Sequence, residues 1–293
     1  MFSKHTADEI ERTAREFGLE PKALLAIAEV ESGGQVFARI DGRNEPLIRF
    51  EGHYFDRRLS GVKQERARAA GLASPTAGAV ANPRSQVGRW RLVEQAAEID
   101  RDAAYESISW GLGQVMGAHW RWLGFDSVDG LVAEARSGAA GQARLMARYI
   151  DKSGLTSALN AHDWEAVGHG YNGPGFAKNG YHLKLAEAYR QQVEGPAPGD
   201  RLMKTGSRGE LVMALQDDLV ALGYTVDTDG IYGPGTAEAV AKFQREHGLN
   251  ADGIAGPATQ AAIGKALSAI KGEVTLWSWV NGLFGGIWRS RRS

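Results

Sequence analysis

Apolar residues recur at helical spacing through most of residues 1–193. In the segment that begins at Pro21, Leu24, Ile27 and Ala28 follow the pattern of one helix face, and Glu31 occupies the next position on that face. Helices are predicted in this way at 6–17, 21–31, 88–105, 129–150, 163–168 and 181–193. Alternating patterns typical of strands are scarce, and the Pro- and Gly-containing stretch 71–87 is predicted as a loop. The pattern predicts a mainly α fold.

The helical pattern stops at residues 194–202, a segment rich in Pro and Gly that is predicted as a linker. Beyond it, the motif DGIYGPGT at 229–236 recurs 23 residues later as DGIAGPAT at 252–259. Each copy runs into a helical segment, so we expect its Asp and Thr to fix tight turns and cap helices. The predicted organisation is a first domain (1–193), the linker (194–202), a second domain (203–268) and a tail (269–293).

The tail combines an apolar helical face with a basic end. In a helix over residues 274–292, the large apolar side chains fall on one face, and Arg289, Arg291 and Arg292 follow. The segment is too short and too interrupted by Gly to predict a membrane span. It fits a helix lying on an anionic lipid surface, such as an outer membrane rich in lipopolysaccharide, and equally a helix packed on the protein itself.

Composition excludes several function classes. The chain has 293 residues, a formal net charge of -1 and no cysteine, so two cores are possible and no disulfide framework is expected. The near-neutral charge argues against nucleic acid as a partner. The histidines do not form a zinc pair, and the Asp-Gly repeats lack the ligand series of a calcium loop, so no metal or other cofactor is expected. The N-terminus does not have the pattern of a signal peptide.

Glu31 is the leading candidate for acid–base chemistry. It ends an apolar helix just before Gly33 and projects from the face expected to be buried, whereas Glu29 lies off that face. Partial burial and the negative end of the helix dipole both raise the pKa of a carboxyl group. A carboxylic acid that keeps its proton near neutral pH can donate it to a glycosidic oxygen. Taken alone, the segment is more typical of a solvated helix end, so its function depends on the motifs that follow.

Three further segments carry residues suited to a sugar-binding cleft. Residues 49–54 (RFEGHY) bring together a carboxylate, an imidazole and an aromatic ring. Residues 107–117 (SISWGLGQVMG) combine an indole and an amide with glycines that allow close approach of the backbone to a ligand. Residues 170–175 (GYNGPG) form a turn that carries an aromatic ring and an amide. The candidate binding residues are His53, Ser109, Trp110, Gln114, Tyr171 and Asn172.

The order of these motifs resembles the N-acetylmuramidase domain of phage endolysins, a domain similar to goose-type lysozymes and soluble lytic transglycosylases. The resemblance covers about residues 5–192 and rests on the ordered motifs VESG, FEGH, SWGLGQVMG and YNGP. It implies a lysozyme-like helical domain in which Glu31 is the catalytic acid and Glu51 a second functional carboxylate. Two positions depart from the family pattern, because Gly113 stands where relatives often have Phe or Met and Arg49 where they are usually apolar.

The second domain resembles the small three-helix peptidoglycan-binding domain attached to many cell-wall hydrolases. The two Asp-Gly repeats carry this resemblance, together with the LGY segment at 222–224 and the FQ pair at 243–244. It implies binding of cell-wall glycopeptide. We expect the contact surface at the turn around Asp229, Tyr232 and Gly233.

Together the motifs predict an endolysin-type muramidase that hydrolyses the β-1,4 bond between N-acetylmuramic acid and N-acetylglucosamine in peptidoglycan and so lyses bacteria. Glu31 would protonate the leaving oxygen, and Glu51, or a water it positions, would attack or stabilise the oxocarbenium-like state, with inversion or retention left open. Two alternatives are a lytic transglycosylase on the same scaffold, in which the sugar's own 6-hydroxyl attacks, and a non-catalytic wall-binding virion protein. Without a signal peptide, the protein would be made in the cytoplasm of a bacterial host and act on the wall in the periplasm after release.

Overall fold

The chain folds into two compact units that divide at residue 196. The structure is a computed structural model that describes residues 2–194 and 202–284, with side chains described as far as residue 270. Most of the predicted linker, 195–201, lies outside the described residues. Helices dominate both units, so the predicted mainly α fold is confirmed.

The first unit consists of helices and a small amount of sheet. Its helices are α1 (Lys4–Glu16), α2 (Pro21–Ser32), α3 (Gly52–Arg58), α4 (Gly61–Ala69), α5 (Gln86–Ala97), α6 (Arg101–Glu106), α7 (Val128–Arg136), α8 (Ala139–Lys152), α9 (Thr156–Asn160), α10 (Trp164–Asn172) and α11 (Tyr181–Glu194). Its strands are β1 (Phe37–Ile40), β2 (Arg43–Pro46), β3 (Ile48–Phe50), β4 (Ile108–Trp110) and β5 (Val115–Met116). Strands β1 and β2 form an antiparallel hairpin, and β3, β4 and β5 form a second antiparallel sheet in that order.

Two of the predicted helices are each divided into two. The segment 88–105 contains α5 and α6, because the side chain of Asp100 accepts a hydrogen bond from the backbone N–H of Ala103 (3.0 Å) and so caps a new helix. The segment 129–150 contains α7 and α8. The apolar pattern does not predict α3, α4, α9 or the strands, since strands of two to four residues are too short to show alternation. The loop predicted at 71–87 corresponds to the connection between α4 and α5.

Helix α2 lies at the centre of the first unit. Residues 23–28 are all buried, so this helix is apolar on every side and not only along one stripe. It packs against α1, α8 and α11, with which it shares one core cluster, while the β3–β5 sheet shares a second cluster with α5 and α7. The turn between β4 and β5 joins the two clusters, because Trp110 and Val115 belong to the second cluster and Leu112 to the first.

Within residues 202–284, the second unit has the three predicted helices: α12 (Glu210–Ala221), α13 (Pro234–Glu246) and α14 (Pro257–Phe284). Leu219, Val240 and Phe243 are fully buried in its core. Antiparallel bridges join Met203 to Ala255 and Arg208 to Ile231, so the segments before α12, α13 and α14 are tied together.

A buried glutamine holds the first copy of the repeated motif. Nε2 of Gln216, on α12, donates to Oδ1 of Asp229 (3.1 Å), to the carbonyl of Ile231 (3.0 Å) and to Oγ1 of Thr236 (3.0 Å). Its Oε1 accepts from the backbone N–H of Gly230 (2.8 Å). One side chain thus satisfies most of the polar groups of the turn.

The second copy is built in the same way around Gln244 of α13. Its amide bonds the side chains of Asp252 (3.0 Å) and Thr259 (3.1 Å) and the backbone of Gly253 (2.9 Å) and Ile254 (3.0 Å). The recurrence of sequence therefore reflects a recurrence of one glutamine-centred turn.

Of the two roles predicted for the repeated Asp-Gly motif, the turn is confirmed and the helix cap is not. Asp229 and Asp252 accept hydrogen bonds from the N–H groups two residues further on, at 2.8 and 2.9 Å, which confirms that they fix the turns. The Thr residues do not cap helices. Helix α13 begins at Pro234 after Gly233, so Thr236 lies inside the helix, where its hydroxyl accepts from Gln216.

The last helix of the described residues continues past the predicted end of the second domain. Helix α14 runs without a break from Pro257 to Phe284, so the backbone of the first part of the predicted tail helix is helical. Residues 285–293, with the three arginines, lie outside the described residues, as do the side chains from 271 onward. Among the described residues, no helix has both the length and the apolarity needed to cross a bilayer.

Candidate active site

A cleft of about 290 Å³ lies in the first unit, where residues of its two core clusters meet. Three of the predicted binding residues, Gln114, Tyr171 and Asn172, line this cleft. The lining residues are Tyr54, Gly113, Gln114, Val115, Met116, His119, Tyr149, Gly170, Tyr171, Asn172 and Gly173. The cleft therefore combines aromatic rings, amides and exposed backbone.

One wall of the cleft is the tight turn between β4 and β5. Gly111 and Gln114 have φ angles of +65° and +48°, which is the left-handed region that favours glycine. The side chain of Gln114 supports its own unusual conformation by donating from Nε2 to the carbonyl of Gly111 (2.9 Å). Beneath the turn, the buried Gln142 accepts from the N–H of Leu112 (2.8 Å) and fixes the turn to α8.

Gly113 leaves room for Tyr171 to approach the backbone. The Tyr171 hydroxyl donates to the carbonyl of Gly113 (2.8 Å). A Cβ atom at position 113 would lie 2.6 Å from that hydroxyl and 2.1 Å from Cγ of Met146. The family's Phe or Met could be placed here only if both neighbours moved, so the departure at Gly113 is coupled to the position of Tyr171.

Glu31 lies in the last turn of α2, beside residues that border the cleft. The helix ends at Gly33, whose φ of +63° is the left-handed conformation common at helix ends. Oε1 of Glu31 accepts a hydrogen bond from the hydroxyl of Tyr181, the first residue of α11 (2.5 Å). Tyr171 lines the cleft close to Glu31. Burial raises the pKa of the Tyr171 phenol, and the negative charge of Glu31 raises it further.

The surroundings of Glu31 favour its protonated form. Burial raises the pKa of Glu31 above its ordinary value of 4.5, and the hydrogen bond from Tyr181 opposes this shift. Burial and the charge of Glu31 also raise the pKa of Tyr181, so this phenol keeps its proton and remains a donor. The site thus holds a carboxyl group that takes up a proton more readily than an exposed glutamate does.

Glu51 directly follows β3 and lies between the side chains of Arg49 and His53. Its Oε1 accepts from Nε of Arg49 (2.7 Å), and its Oε2 lies 3.5 Å from Nδ1 of His53. Arg49 lies within β3, and Glu51 follows the strand as the residue that precedes the first turn of α3. Three residues beyond Glu51, Tyr54 lines the cleft. The unusual arginine at position 49 is therefore the counter-ion of the second predicted carboxylate.

Two of the predicted binding residues are buried beneath the cleft. Trp110 is only 1% exposed, and its indole packs against Trp90 and Tyr105 while Nε1 donates to the carbonyl of Tyr105 (3.1 Å). The prediction that Trp110 offers a stacking face is therefore wrong, because every residue of β4 is buried. Ser109 is also buried, with its hydroxyl against Sδ of Met116 (3.1 Å), so it supports the strand that carries Met116.

Several residues of the site are not among those predicted. Tyr181 contacts Glu31 although the two residues are 150 positions apart in sequence. The one sequence feature that could have indicated Tyr181 is an aromatic residue at the start of the helix that follows the turn at 170–175. Tyr149 contacts Tyr171 edge to face, with 5.2 Å between ring centroids. His119 also lines the cleft, where burial and the charge of Arg58 lower its pKa, so its imidazole is neutral at neutral pH.

Comparison with known proteins identifies the class of this site. The family model described as N-acetylmuramidase matches residues 20–192, which include α2 with Glu31 and every residue of the cleft. The chain belongs to the N-acetylmuramidase family. A second family model, described as a putative peptidoglycan binding domain, matches residues 208–263. The chain thus carries a helical peptidoglycan-binding domain in addition to the muramidase domain, as predicted.

A solved structure supports the same assignment. The structure described as the crystal structure of Burkholderia AP3 phage endolysin is similar to the muramidase with a TM-score of 0.56 and 28% sequence identity. The match covers 64% of this chain and 71% of that one. No curated protein matches the chain.

The three predicted wall-contact residues of the second unit, Asp229, Tyr232 and Gly233, differ in their exposure to solvent. Tyr232 is only 1% exposed and donates from its hydroxyl to the carbonyl of Gly253 (2.8 Å), so it belongs to the core and the prediction of a contact role for its ring is wrong. Asp229 is exposed, but its Oδ1 is occupied within the turn. A Cβ atom at Gly233 would meet only the carbonyl oxygen of Ile231, at 4.0 Å. Within the described residues, no group of His, Asp or Glu is arranged to hold a metal ion.

Proposed function

We propose that the muramidase acts as an endolysin that cleaves glycan strands with Glu31 as the general acid. The observation that carries this proposal is the buried carboxyl group of Glu31, hydrogen-bonded by Tyr181 next to a cleft of aromatic rings and amides. Its raised pKa keeps the proton available for the oxygen of the β-1,4 bond. The similarity to a phage endolysin and the attached wall-binding unit support peptidoglycan as the substrate.

Glu51 supplies the negative charge that the reaction needs on the other side of the bond. Nε of Arg49, at 2.7 Å, donates a hydrogen bond to Oε1 of Glu51 and holds the carboxylate in one orientation. An ionised carboxylate stabilises the oxocarbenium-like transition state, either by positioning water or by attacking the sugar directly. Nδ1 of His53, on α3, lies 3.5 Å from the other oxygen of Glu51.

The products distinguish the proposed hydrolase from its two alternatives. Mass spectrometry of digested peptidoglycan is expected to detect new reducing muramic acid ends. Anhydro-muramic ends would instead identify a lytic transglycosylase, since attack by the 6-hydroxyl closes a ring without water. Intact glycan strands would identify a non-catalytic wall-binding protein.

The pH dependence of kcat/KM tests the hydrogen bond from Tyr181 to Glu31. Because the Tyr181 hydroxyl lowers the pKa of Glu31, its removal in Tyr181→Phe raises that pKa and keeps the acid protonated to higher pH. A net hydrogen bond of about 1 kcal/mol predicts that the alkaline limb of kcat/KM moves upward by roughly 0.7 pH unit. Tyr189→Phe, on the same helix, is the control and should leave the limb in place. A shift of the Tyr181→Phe limb to lower pH would contradict the assignment.

The second unit is proposed to hold the enzyme on the wall, with the boundaries predicted above: 1–193 for catalysis, 203–268 for wall binding and 269–293 for the tail. Tethering raises the local concentration of substrate without contributing to the chemistry. The protein is proposed to be made in the host cytoplasm and to act in the periplasm after release. For wall contact, Asp229 and Gly233 remain the proposed residues, since Tyr232 is buried.

The tail is proposed to bind anionic lipid of the outer membrane, including lipopolysaccharide, through residues 274–292. Deletion of residues 273–293 is expected to spare digestion of exposed peptidoglycan and to reduce sedimentation with anionic vesicles. Replacing Arg289, Arg291 and Arg292 with Glu should have the same effect, weakening as salt is added. Unchanged vesicle binding, or a large loss of thermal stability on deletion, would support a helix packed on the protein.

A further inference from the structure

Trp122 is an exposed indole close to the cleft but outside its lining. It follows the 3₁₀ turn Gly117–His119 and is 41% exposed. Among the residues whose side chains the structure describes, it is the only Trp, Tyr or Phe that is exposed. Exposed apolar area of this size has a free-energy cost that burial against a ligand would recover.

The indole of Trp122 is held by neighbouring rings. It meets Tyr149 nearly at a right angle, with 5.7 Å between ring centroids and 82° between planes, and its centroid lies 5.4 Å from that of His119. The backbone nearby is also fixed, because the N–H of Leu123 donates to the carbonyl of His119 (2.8 Å). Such packing orders the side chain before any ligand arrives, which lowers the entropy cost of binding.

These contacts form a row of aromatic rings that leads out of the cleft. Tyr171 contacts Tyr149, Tyr149 contacts both His119 and Trp122, and the first three of these residues line the cleft. Trp122 is thus continuous with the surface already proposed to hold the glycan strand. A strand longer than the cleft would meet Trp122 next along this row.

The chemistry of the row favours a neutral sugar ring. His119 is neutral because burial and the charge of Arg58 lower its pKa. The nearest arginine in sequence, Arg121, lies over the ring of Trp120, with 4.9 Å from Cζ to the ring centroid. The exposed indole is therefore an apolar surface that suits the C–H face of a pyranose.

We propose that Trp122 forms an outer sugar subsite, at which one pyranose of the glycan strand packs on the indole beyond the residues that line the cleft. The proposal rests on the proposed function and extends it, because it assigns to this chain a preference for strands long enough to reach Trp122. Occupancy of the subsite is expected to tighten the binding of long strands and to leave binding of short strands unchanged.

Binding is measured with the full chain carrying Glu31→Gln, so that strands remain intact during calorimetry. The probes are peptide-free glycan strands of defined length, a tetrasaccharide and an octasaccharide. Addition of Trp122→Ala is expected to weaken octasaccharide binding about tenfold, the size expected for one aromatic stacking contact, and to leave tetrasaccharide binding within about twofold. Trp122→Phe should recover part of the loss. Val62→Ala removes another exposed apolar side chain, one that does not line the cleft, and is the control.

Octasaccharide binding that is unchanged in Trp122→Ala would overturn the proposal, and so would an equal loss for both lengths. Failure of the proposed function gives a different result, because intact Glu31 would then produce no new reducing ends from peptidoglycan whether or not Trp122 binds the strand. Circular dichroism and thermal unfolding of each variant separate a binding defect from a folding defect.

Discussion

Replacing Glu31 with Gln is expected to lower the rate of peptidoglycan cleavage by roughly a thousandfold while wall binding is retained. Gln keeps the size of the side chain and can still accept from Tyr181, but it has no proton to give to the leaving oxygen. The rate is measured by the release of reducing ends from purified walls, and binding by cosedimentation with the same walls. Cleavage within a few-fold of the wild-type rate would refute the assignment of the acid.

Two controls separate chemistry from folding in this experiment. Glu29→Gln changes a carboxylate of the same helix and should reduce the rate only slightly. The second control is thermal unfolding. The pKa of Glu31 is higher in the folded chain than in the unfolded chain, so ionisation of Glu31 destabilises the folded chain. This loss of stability develops as the pH rises from the unfolded pKa through the folded pKa. Glu31→Gln removes this effect, and the variant is expected to unfold at neutral pH at a temperature no lower than the wild type.

Replacing Gln216 with Leu is expected to destabilise the second unit by roughly 3 kcal/mol or more. The substitution leaves the backbone N–H of Gly230, the carbonyl of Ile231 and the hydroxyl of Thr236 without this partner in a mostly buried turn. A unit of this size has a small free energy of unfolding, so we expect the second unit of the Gln216→Leu variant to be largely unfolded near physiological temperature. Amide hydrogen exchange within α12 and α13 measures the effect without interference from the first unit.

The repeated motif supplies the comparisons for Gln216→Leu. Gln244→Leu removes the equivalent bonds of the second copy and should have an effect of similar size. Gln260→Leu removes a bond from Nε2 to the carbonyl of Ala255 (2.7 Å) and is expected to cost about 1 kcal/mol. If the backbone amides of α12 and α13 were equally protected from hydrogen exchange in all three variants, the structural role assigned to Gln216 and Gln244 would be contradicted.

The helical periods and the ordered motifs predict the fold class, the position of Glu31 at the end of α2 and the cleft residues Gln114, Tyr171 and Asn172. These features are local, because a helix end or a Gly-rich turn is determined by a few neighbouring residues. The pairing of Arg49 with Glu51 is also local, because the two residues are two positions apart where β3 ends and α3 begins.

Burial and distant contacts were not predictable from the same signals. Trp110 and Tyr232 belong to motifs typical of binding sites, yet both rings fill cores, because a motif does not specify which side of a strand or turn faces solvent. The contact of Tyr181 with Glu31 depends on the packing of α11 against α2, which no local pattern specifies. The glutamine-centred turns explain the repeat only once the helices that carry Gln216 and Gln244 are in place.

Digestion of peptidoglycan in ¹⁸O-labelled water tests the central claim most directly. If Glu31 protonates the leaving oxygen and water completes the cleavage, every new reducing muramic acid end formed by the wild-type chain carries one ¹⁸O atom, and Glu31→Gln forms almost none. Unlabelled anhydro ends from the wild type would show that the sugar's own hydroxyl attacks, and labelled ends at an undiminished rate from Glu31→Gln would show that another group is the acid.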